Sequence, residues 1–223
     1  MLDAQTCMNE LAQRLRAAFG GRLIYLGLQG SYARGEADGQ SDLDVMCVLE
    51  GLSTADLDAY GRIIRELPWA EKACGFICGR EELAAWNPLE IACLVRTTHD
   101  WVGSLSALVP EYTGEDLRRH VQLSAGNLYH ELCHRRIYRG AARSVEALPG
   151  CGKAALYILQ ALALLEKGSF PRTMAELTTL PSALDAQVAA RVPELRRGDA
   201  PREQDFSLLL DWCRQALGRA KNA

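Results

Sequence analysis

The sequence lacks the CxxC pairs that are common in structural zinc sites. Eight cysteines are spread along 223 residues, and none of them forms a CxxC pair. Zinc sites and disulfide frameworks normally show tighter or more regular spacing. We therefore expect free, buried thiols that pack as small apolar groups. Free thiols are typical of a reducing compartment, which favours a cytoplasmic protein.

The sequence has neither a large net charge of either sign nor a long apolar run. The formal net charge is −3 and the pI is near 5.9. Non-specific nucleic-acid binding needs many Lys and Arg contacts to phosphate, so the composition argues against a nucleic-acid partner. No apolar stretch approaches the roughly 20 residues of a membrane span, and the acid-containing N-terminus resembles an amphipathic helix more than a signal peptide. We expect a soluble protein with no membrane partner.

Hydrophobic periodicity divides the chain into two parts. Residues 1–110 alternate helical and strand-like patterns, whereas residues 111–223 are almost wholly helical in pattern. The predicted strands are Arg22–Leu28, Leu43–Leu49 and Ala73–Cys78, and the predicted helices are Asp3–Phe19, Ser53–Leu67, Gly114–Ala142, Lys153–Lys167, Met174–Arg191 with a break at Pro181, and Arg202–Lys221. We predict an α/β (α+β) domain over 1–110 and an all-α helical bundle over 111–223, with a turn at the sequence LPGCG near Pro149.

The segment GSYARGEADGQSDLD, between two predicted strands, carries the most specific chemical signal. Asp42 and Asp44 are spaced i, i+2, so on a strand they point to the same face, with Leu43 and Val45 in the core. Their Cβ atoms would lie about 6.6 Å apart. That separation suits carboxylates that share hard cations in a two-metal site. Magnesium, which prefers oxygen ligands and substrate phosphates, is the expected ion.

Gly30 and Ser31 open the same segment and predict a phosphate-binding turn. Glycine permits a tight turn at which backbone N–H groups approach phosphate oxygens, and the serine hydroxyl adds a further donor. Arg34 follows one turn later and could neutralise phosphate charge. The segment thus combines metal ligands with a phosphate cradle.

These residues resemble the GSxxRG…SDxD signature of the DNA polymerase β-like nucleotidyltransferase superfamily, which includes aminoglycoside nucleotidyltransferases and MNT-type proteins of bacterial toxin–antitoxin pairs. The matching positions are Gly30, Ser31, Arg34, Gly35, Ser41, Asp42 and Asp44. The resemblance implies a mixed-sheet catalytic core, followed here by a helical substrate or lid domain. It also implies that the Gly-Ser turn, Arg34 and Ser41 bind the nucleotide triphosphate, and that the aspartates bind magnesium, with two ions expected.

One feature of that family is missing from the expected place. Members usually carry a third carboxylate on a later strand, where it completes the metal site and can serve as the base. The predicted strand ACGFIC contains no acid, and Cys74 or Phe76 stands where one is expected. Glu71, Glu90 and Asp100 are the nearby candidates, and the sequence does not separate them.

The helical half contains several weaker signals. Glu131, Arg135, Arg139 and Arg143 fall at i, i+4, i+8 and i+12 and predict one polar ridge, which is either a solvated face or a contact for pyrophosphate or an anionic acceptor. The string HELCH, from His130 to His134, matches the HExxH pattern of zinc hydrolases. Basic residues of helical domains often reach phosphate in similar enzymes, which makes Lys153 a candidate nucleotide contact.

Two further segments match known phosphate-binding or phosphohydrolase motifs only in part. PGCGK, which ends at Lys153, has Ala147 at the first glycine position of a P-loop and Ala154 in place of Ser or Thr. His99-Asp100 resembles the His-Asp dipeptide of the HD phosphohydrolases, but one isolated dipeptide cannot form their metal site. We interpret Gly150 and Gly152 as part of a helix–helix turn.

The sequence predicts a magnesium-dependent, ATP-binding nucleotidyltransferase. It would transfer a nucleoside monophosphate, AMP from ATP or the equivalent from another NTP, to a hydroxyl of a small molecule such as an antibiotic. Asp42 and Asp44 are the predicted catalytic and metal-binding residues. Two alternatives stay open: an MNT-like regulator that modifies or sequesters a protein partner, and a nucleotide-binding protein with a degenerate catalytic site. The acceptor and the oligomeric state are not encoded in any pattern that we identify.

Overall fold

The computed structural model describes residues 2–180 and 182–223 and divides into two compact units, Met1–Glu111 and Tyr112–Ala223. Each unit has its own secondary structure, and the two are described separately below. The helix break predicted at Pro181 lies outside the described residues.

The first unit is built on a four-stranded mixed sheet. Its strands are β1 (Leu23–Gln29), β2 (Leu43–Leu49), β3 (Ala73–Gly79) and β4 (His99–Val102), in the spatial order β3-β2-β1-β4. Strand β1 pairs antiparallel with both β2 and β4, whereas β2 and β3 are parallel. The predicted mixed sheet is confirmed. Strand β4 was not predicted, because its four residues, HDWV, are too few and too polar to show a strand pattern.

Five helices accompany this sheet: α1 (Ala4–Phe19), α2 (Gly30–Arg34), α3 (Thr54–Arg65), α4 (Arg80–Ala84) and α5 (Pro88–Thr97). Helix α1 begins where the Asp3 carboxylate accepts a hydrogen bond from the Gln5 amide, and a capping box between Ser53 and Asp56 starts α3. The apolar stripe of α1 packs with the buried side chains of β1 and β2. This packing fixes which face of β2 turns away from the main core.

The second unit is an all-α assembly, as predicted. Its helices are α6 (Gly114–Glu146), α7 (Leu148–Lys167), α8 (Met174–Thr178), α9 (Ala183–Arg196) and α10 (Glu203–Asn222). Helix α7 is its most apolar element, and most of its residues are buried. Contrary to the expectation from the sequence, α7 is long and apolar enough to cross a membrane by length and composition alone. Its burial within the helical unit is also typical of the core helix of a soluble protein.

Two boundaries in the second unit differ from the prediction. The sequence LPGCG is the first turn of α7 rather than a turn between helices, so Gly150 and Gly152 are helical. Pro149 is tolerated there because the first N–H groups of a helix have no intrahelical acceptor. The predicted helix Met174–Arg191 is two helices, since α8 ends at Thr178 and α9 begins at Ala183.

The thiols also differ in part from the prediction. All eight cysteines are free, and Cys7, Cys47, Cys78, Cys151 and Cys213 are buried. Cys74 is exposed, however, while Cys93 and Cys133 are partly buried. The exposed thiol lies on β3, beside the segment that carries the predicted metal ligands.

Candidate active site

The two aspartates lie at the start of β2, on the side of the strand that faces away from the main core. Asp42 immediately precedes β2 and is exposed, while Asp44 is its second residue and is half-buried. Leu43 and Val45, which alternate with them, are buried in the core formed with α1 and α3. The predicted alternation therefore holds, and the two carboxylates share one side of the strand.

Gly30 packs directly against the second of these carboxylates. Strand β1 ends at Gln29, which lies opposite Asp44 in the antiparallel pair. Gly30 has a φ of +68°, and a Cβ built on it would collide with the Asp44 carboxylate, with the Asp44 Cγ only 2.8 Å away. A side chain at this position would therefore be strained and would require the Asp44 carboxylate to move, and Gly30 lies in direct contact with Asp44.

The other predicted nucleotide contacts of this segment are Ser31, Arg34 and Ser41, and their side chains differ in their hydrogen-bond partners. Among the described residues, the Ser31 hydroxyl has no hydrogen-bond partner. The Arg34 Nε donates to Glu36 at 2.9 Å. The Ser41 hydroxyl donates to the Asp38 carboxylate at 3.0 Å and accepts from the Asp38 amide at 2.9 Å. Ser31 is thus available to a ligand, whereas Arg34 and Ser41 would exchange a partner to bind one.

Cys74 occupies the position nearest to the aspartates on the neighbouring strand. In the parallel register of β2 and β3, Asp44 lies opposite Cys74, so that the carboxylate and the thiol are neighbours across the two strands. Partial desolvation, followed by the negative charge of Asp44, raises the pKa of the Cys74 thiol above its ordinary value. The thiol is therefore protonated at neutral pH and can act as a hydrogen-bond donor to Asp44.

The three candidate third acids lie in different settings. Glu71 is exposed in the 3₁₀ turn before β3, and Glu90 is exposed on α5, where it accepts a hydrogen bond from the Trp86 indole at 3.0 Å. Asp100, on β4, accepts from the Tyr25 hydroxyl at 2.7 Å and from the Leu105 amide at 3.3 Å. Within residues 2–180 and 182–223, no group of three Asp, Glu, His or Cys side chains is close enough to hold a metal ion.

The strand register shows how Asp100 relates to the aspartate pair. Gly27 of β1 lies opposite both Met46 of β2 and Asp100 of β4. Since Met46 is two residues after Asp44, Asp100 shares the sheet face of Asp44 but lies two strands away, about 10 Å across the sheet. Desolvation and the hydrogen bond to Asp100 raise the pKa of Tyr25. The Asp100 carboxylate is thus engaged with a buried tyrosine.

Gln29 is a neighbour of the site that sequence reasoning missed. It shares a face with Asp44 because the two residues are paired across β1 and β2. Its amide nitrogen donates to the Thr98 hydroxyl at 2.8 Å. The signal that could have identified it is its position immediately before Gly30, at the end of a strand whose partner carries the aspartates.

The donor set at this edge of the sheet suits magnesium. Asp42 and Asp44 provide carboxylate oxygens on one side of a strand, and the Gly30-Ser31 turn lies directly beside the Asp44 carboxylate. The Cys74 thiol is a soft ligand that magnesium does not favour. The residues therefore fit an ion held by two carboxylates together with substrate phosphates and water.

The remaining candidate residues, Lys153 and the HELCH string from His130 to His134, lie in the helical unit. Lys153 is exposed on α7, with its amine 5.8 Å from the centre of the Tyr157 ring. In the HELCH string, Glu131 pairs with Arg135 at 2.5 Å, and the rings of His130 and His134 are 6.0 Å apart. The glutamate needed as a general base in a zinc hydrolase is thus bound to an arginine, which counts against that alternative.

Comparisons with known proteins agree with this arrangement. Residues 8–74 match the family model of the nucleotidyltransferase domain. The whole chain is similar in fold to the crystal structure of spectinomycin adenyltransferase AAD(9) from Enterococcus faecialis with ATP and spectinomycin. The TM-score is 0.61 at 14% sequence identity, and the match covers 97% of this chain and 99% of that one. No curated protein matches the sequence at a significant level.

The mixed sheet, the Gly-Ser turn and the paired aspartates define a nucleotidyltransferase domain. Residues 8–74 thus form a nucleotidyltransferase domain, in agreement with the predicted resemblance to the DNA polymerase β-like superfamily, and the predicted class of enzyme is confirmed. Its general chemistry is nucleotidyl transfer.

Proposed function

We propose that this protein is a magnesium-dependent adenylyltransferase that moves AMP from ATP to a hydroxyl group of a small molecule. The observation that carries the proposal is the contact between the Gly30 turn and the Asp44 carboxylate, which brings a phosphate cradle and a metal ligand together. The fold match supports the choice of substrates, because the similar adenyltransferase was solved with ATP and spectinomycin.

Each residue of the site has a distinct role in this proposal. Asp42 and Asp44 hold magnesium, and Gly30 and Ser31 donate hydrogen bonds to the triphosphate. Arg34 leaves Glu36 to neutralise phosphate charge, and Ser41 and Lys153 remain proposed nucleotide contacts. Magnesium, when bound, would neutralise the phosphate oxygens and the leaving pyrophosphate. Since phosphoryl chemistry needs little covalent help from protein, these residues act mainly by positioning and charge.

The acceptor hydroxyl must lose a proton when it attacks the α-phosphorus. A positioned base contributes roughly 10²–10⁴-fold to such steps. Cys74 is protonated at neutral pH and faces Asp44, so it is not suited to be that base. Glu71, Glu90 and Asp100 remain the candidate third acids, and Asp100 would first have to release Tyr25.

The Cys74 thiol also favours a second candidate, a nucleotide-binding protein that transfers slowly or not at all. A thiol opposite Asp44 adds no negative charge for a second metal ion. In this alternative the binding roles of Asp42, Asp44 and the Gly-Ser turn are unchanged. The two candidates differ only in turnover.

The experiment uses the full chain with ATP labelled at the α-phosphate, magnesium and a panel of hydroxylated small molecules that includes spectinomycin. We expect label to move to an acceptor with equimolar pyrophosphate release, and both to be lost in Asp44→Asn. Transfer that is equal in the wild type and this variant would overturn the assigned site. Magnesium-dependent ATP binding without transfer to any acceptor would favour the second candidate.

A further inference from the structure

The helical unit contains a basic cavity that the proposed nucleotidyl transfer does not use. The cavity has a volume of about 530 Å³ and lies along the last turns of α6 and the start of α7. It is lined by His130, Glu131, His134, Arg135, Arg139, Arg143 and Ala147. That volume falls within the usual size of small-molecule sites, roughly 300–1,000 Å³.

A break in α6 creates this cavity. Gly140 has non-helical backbone angles, with φ 81° and ψ 170°. The Arg135 guanidinium nevertheless donates to the Ala147 carbonyl at 3.3 Å, across twelve residues. Twelve residues of straight helix would span about 18 Å, far beyond the reach of one side chain. The chain therefore folds back at Gly140, and the ridge predicted from i, i+4 spacing becomes a concave surface.

The charges within the cavity are unbalanced. Glu131, its only acid, pairs with Arg135 at 2.5 Å, so this arginine is held in place from two sides. The side chains of Arg139 and Arg143 are exposed and have no hydrogen-bond or ion-pair partner among the described residues. The cavity wall therefore contains three guanidinium groups. Two of them, those of Arg139 and Arg143, are unpaired among the described residues.

This arrangement selects an anion over a cation. Two histidines at i, i+4 could in principle chelate a metal ion, with their rings 6.0 Å apart. Three neighbouring arginines repel a cation, however, and Glu131 is already paired. Guanidinium groups bind phosphate through paired, charge-assisted hydrogen bonds. The concave shape and the acidic net charge of the chain favour a small molecule over a nucleic acid.

We propose that this cavity binds a small phosphorylated anion, held by Arg139 and Arg143 with Arg135 as a fixed support. The ligand carries one or more phosphate groups, whose several oxygens can accept hydrogen bonds from both guanidinium groups. All of the residues that line the cavity belong to the helical unit.

The test measures pyrophosphate binding to the full chain by calorimetry, without magnesium. We expect Arg139→Gln plus Arg143→Gln to weaken binding by roughly tenfold or more, since the change removes both charge-assisted hydrogen-bond donors that hold the anion. The matched control is Arg16→Gln plus Arg119→Gln, which removes the same charge from two exposed positions outside the cavity. Neither change removes a buried side chain, and thermal unfolding verifies that each variant is folded.

Further variants separate this site from the active site. Asp42→Asn plus Asp44→Asn should keep full pyrophosphate affinity, even if it abolishes nucleotidyl transfer. Equal affinity in the Arg139/Arg143 variant and its control would overturn the proposal, and so would loss of affinity in the aspartate variant. Single-stranded RNA that binds more tightly than pyrophosphate, with the same dependence on Arg139 and Arg143, would overturn the assignment to a small molecule.

Discussion

Asp44 lies opposite Cys74 in the parallel pair of β2 and β3, and the negative charge of the Asp44 carboxylate contributes to raising the pKa of the Cys74 thiol. The neighbouring strand thus presents a neutral thiol, and not a carboxylate, to the second predicted metal ligand. In the proposed function this pairing separates two properties of the site. Binding of a metal nucleotide would depend on the aspartates and the Gly-Ser turn, whereas the rate of transfer would depend on a further acid.

Cys74→Asp is expected to strengthen magnesium binding. Without magnesium, the variant should unfold at a lower temperature than the wild type, because like charges directly opposite each other on paired strands are destabilising. Magnesium should then raise its unfolding temperature more than that of the matched variant Cys74→Ser. If the new carboxylate also serves as the base, transfer should be roughly 10²-fold faster. Identical magnesium shifts in the two variants would rule out Cys74 as a metal-site position.

Alkylation of Cys74 should depend on pH and on Asp44. The thiolate is the reactive form, and both desolvation and the Asp44 charge raise the pKa of the Cys74 thiol above its ordinary value. Reaction with iodoacetamide should therefore be slow at neutral pH, despite the exposure of this cysteine, and should accelerate as the pH rises above 9. Asp44→Asn should speed the reaction at pH 8, as measured by mass spectrometry of the modified peptide. A rate that is unchanged in this variant would contradict the predicted coupling.

Gly30→Ala should displace the Asp44 carboxylate. The new Cβ would collide with that group, and a non-glycine residue at this φ costs a further 1–2 kcal/mol or so. We expect a lower unfolding temperature and at least a roughly tenfold loss of magnesium-ATP affinity. Gly39→Ala is the matched control in the same connection, because a Cβ at Gly39 meets nothing within 4 Å. Similar affinities in the two variants would show that the contact with Gly30 does not position Asp44.

The stability of the helical unit should depend on Arg219. This residue donates to the buried Asp185 carboxylate at 2.8 and 2.9 Å, and the Trp212 indole donates to the same carboxylate at 2.8 Å. Arg219→Met would leave a buried charge without its cation, at a cost of about 3 kcal/mol in the free energy of unfolding. Arg214→Met removes an exposed pair with Asp211 and should change stability by less than about 1 kcal/mol. Denaturant unfolding measures the free energy of unfolding of both variants. Equal losses of stability in Arg219→Met and Arg214→Met would contradict the role of Arg219.

The first half of the fold was largely predictable because its strands are apolar and regular. Leu43–Leu49 was predicted with the bounds that the structure has, and the i, i+2 spacing placed Asp42 and Asp44 on one side of it. Strand β4 was missed because it is short and is held by pairing with β1, a long-range contact that leaves no local pattern. The contact between Gly30 and Asp44 depends on the same kind of pairing, although the motif indicated both residues.

The helical half was less predictable at its breaks. Pro149 and two glycines indicated a turn, but the first turn of a helix tolerates them, and α7 begins at Leu148. Gly140 is the true interruption of α6, and a single glycine within a helical pattern gave no clear signal. The polar ridge predicted from Glu131 to Arg143 is therefore a cavity wall, a difference that spacing alone could not show.

The most direct test of the central claim is thermal unfolding with a non-hydrolysable ATP analogue and magnesium. At about 100 times its Kd, the ligand should raise the Tm of the wild type by roughly 5 °C or more. Asp42→Asn plus Asp44→Asn should show no magnesium-dependent rise, whereas the charge-matched control Asp58→Asn plus Asp211→Asn, at two exposed positions, should behave as the wild type. An equal magnesium-dependent rise in the wild type and the Asp42/Asp44 variant would contradict the assigned site.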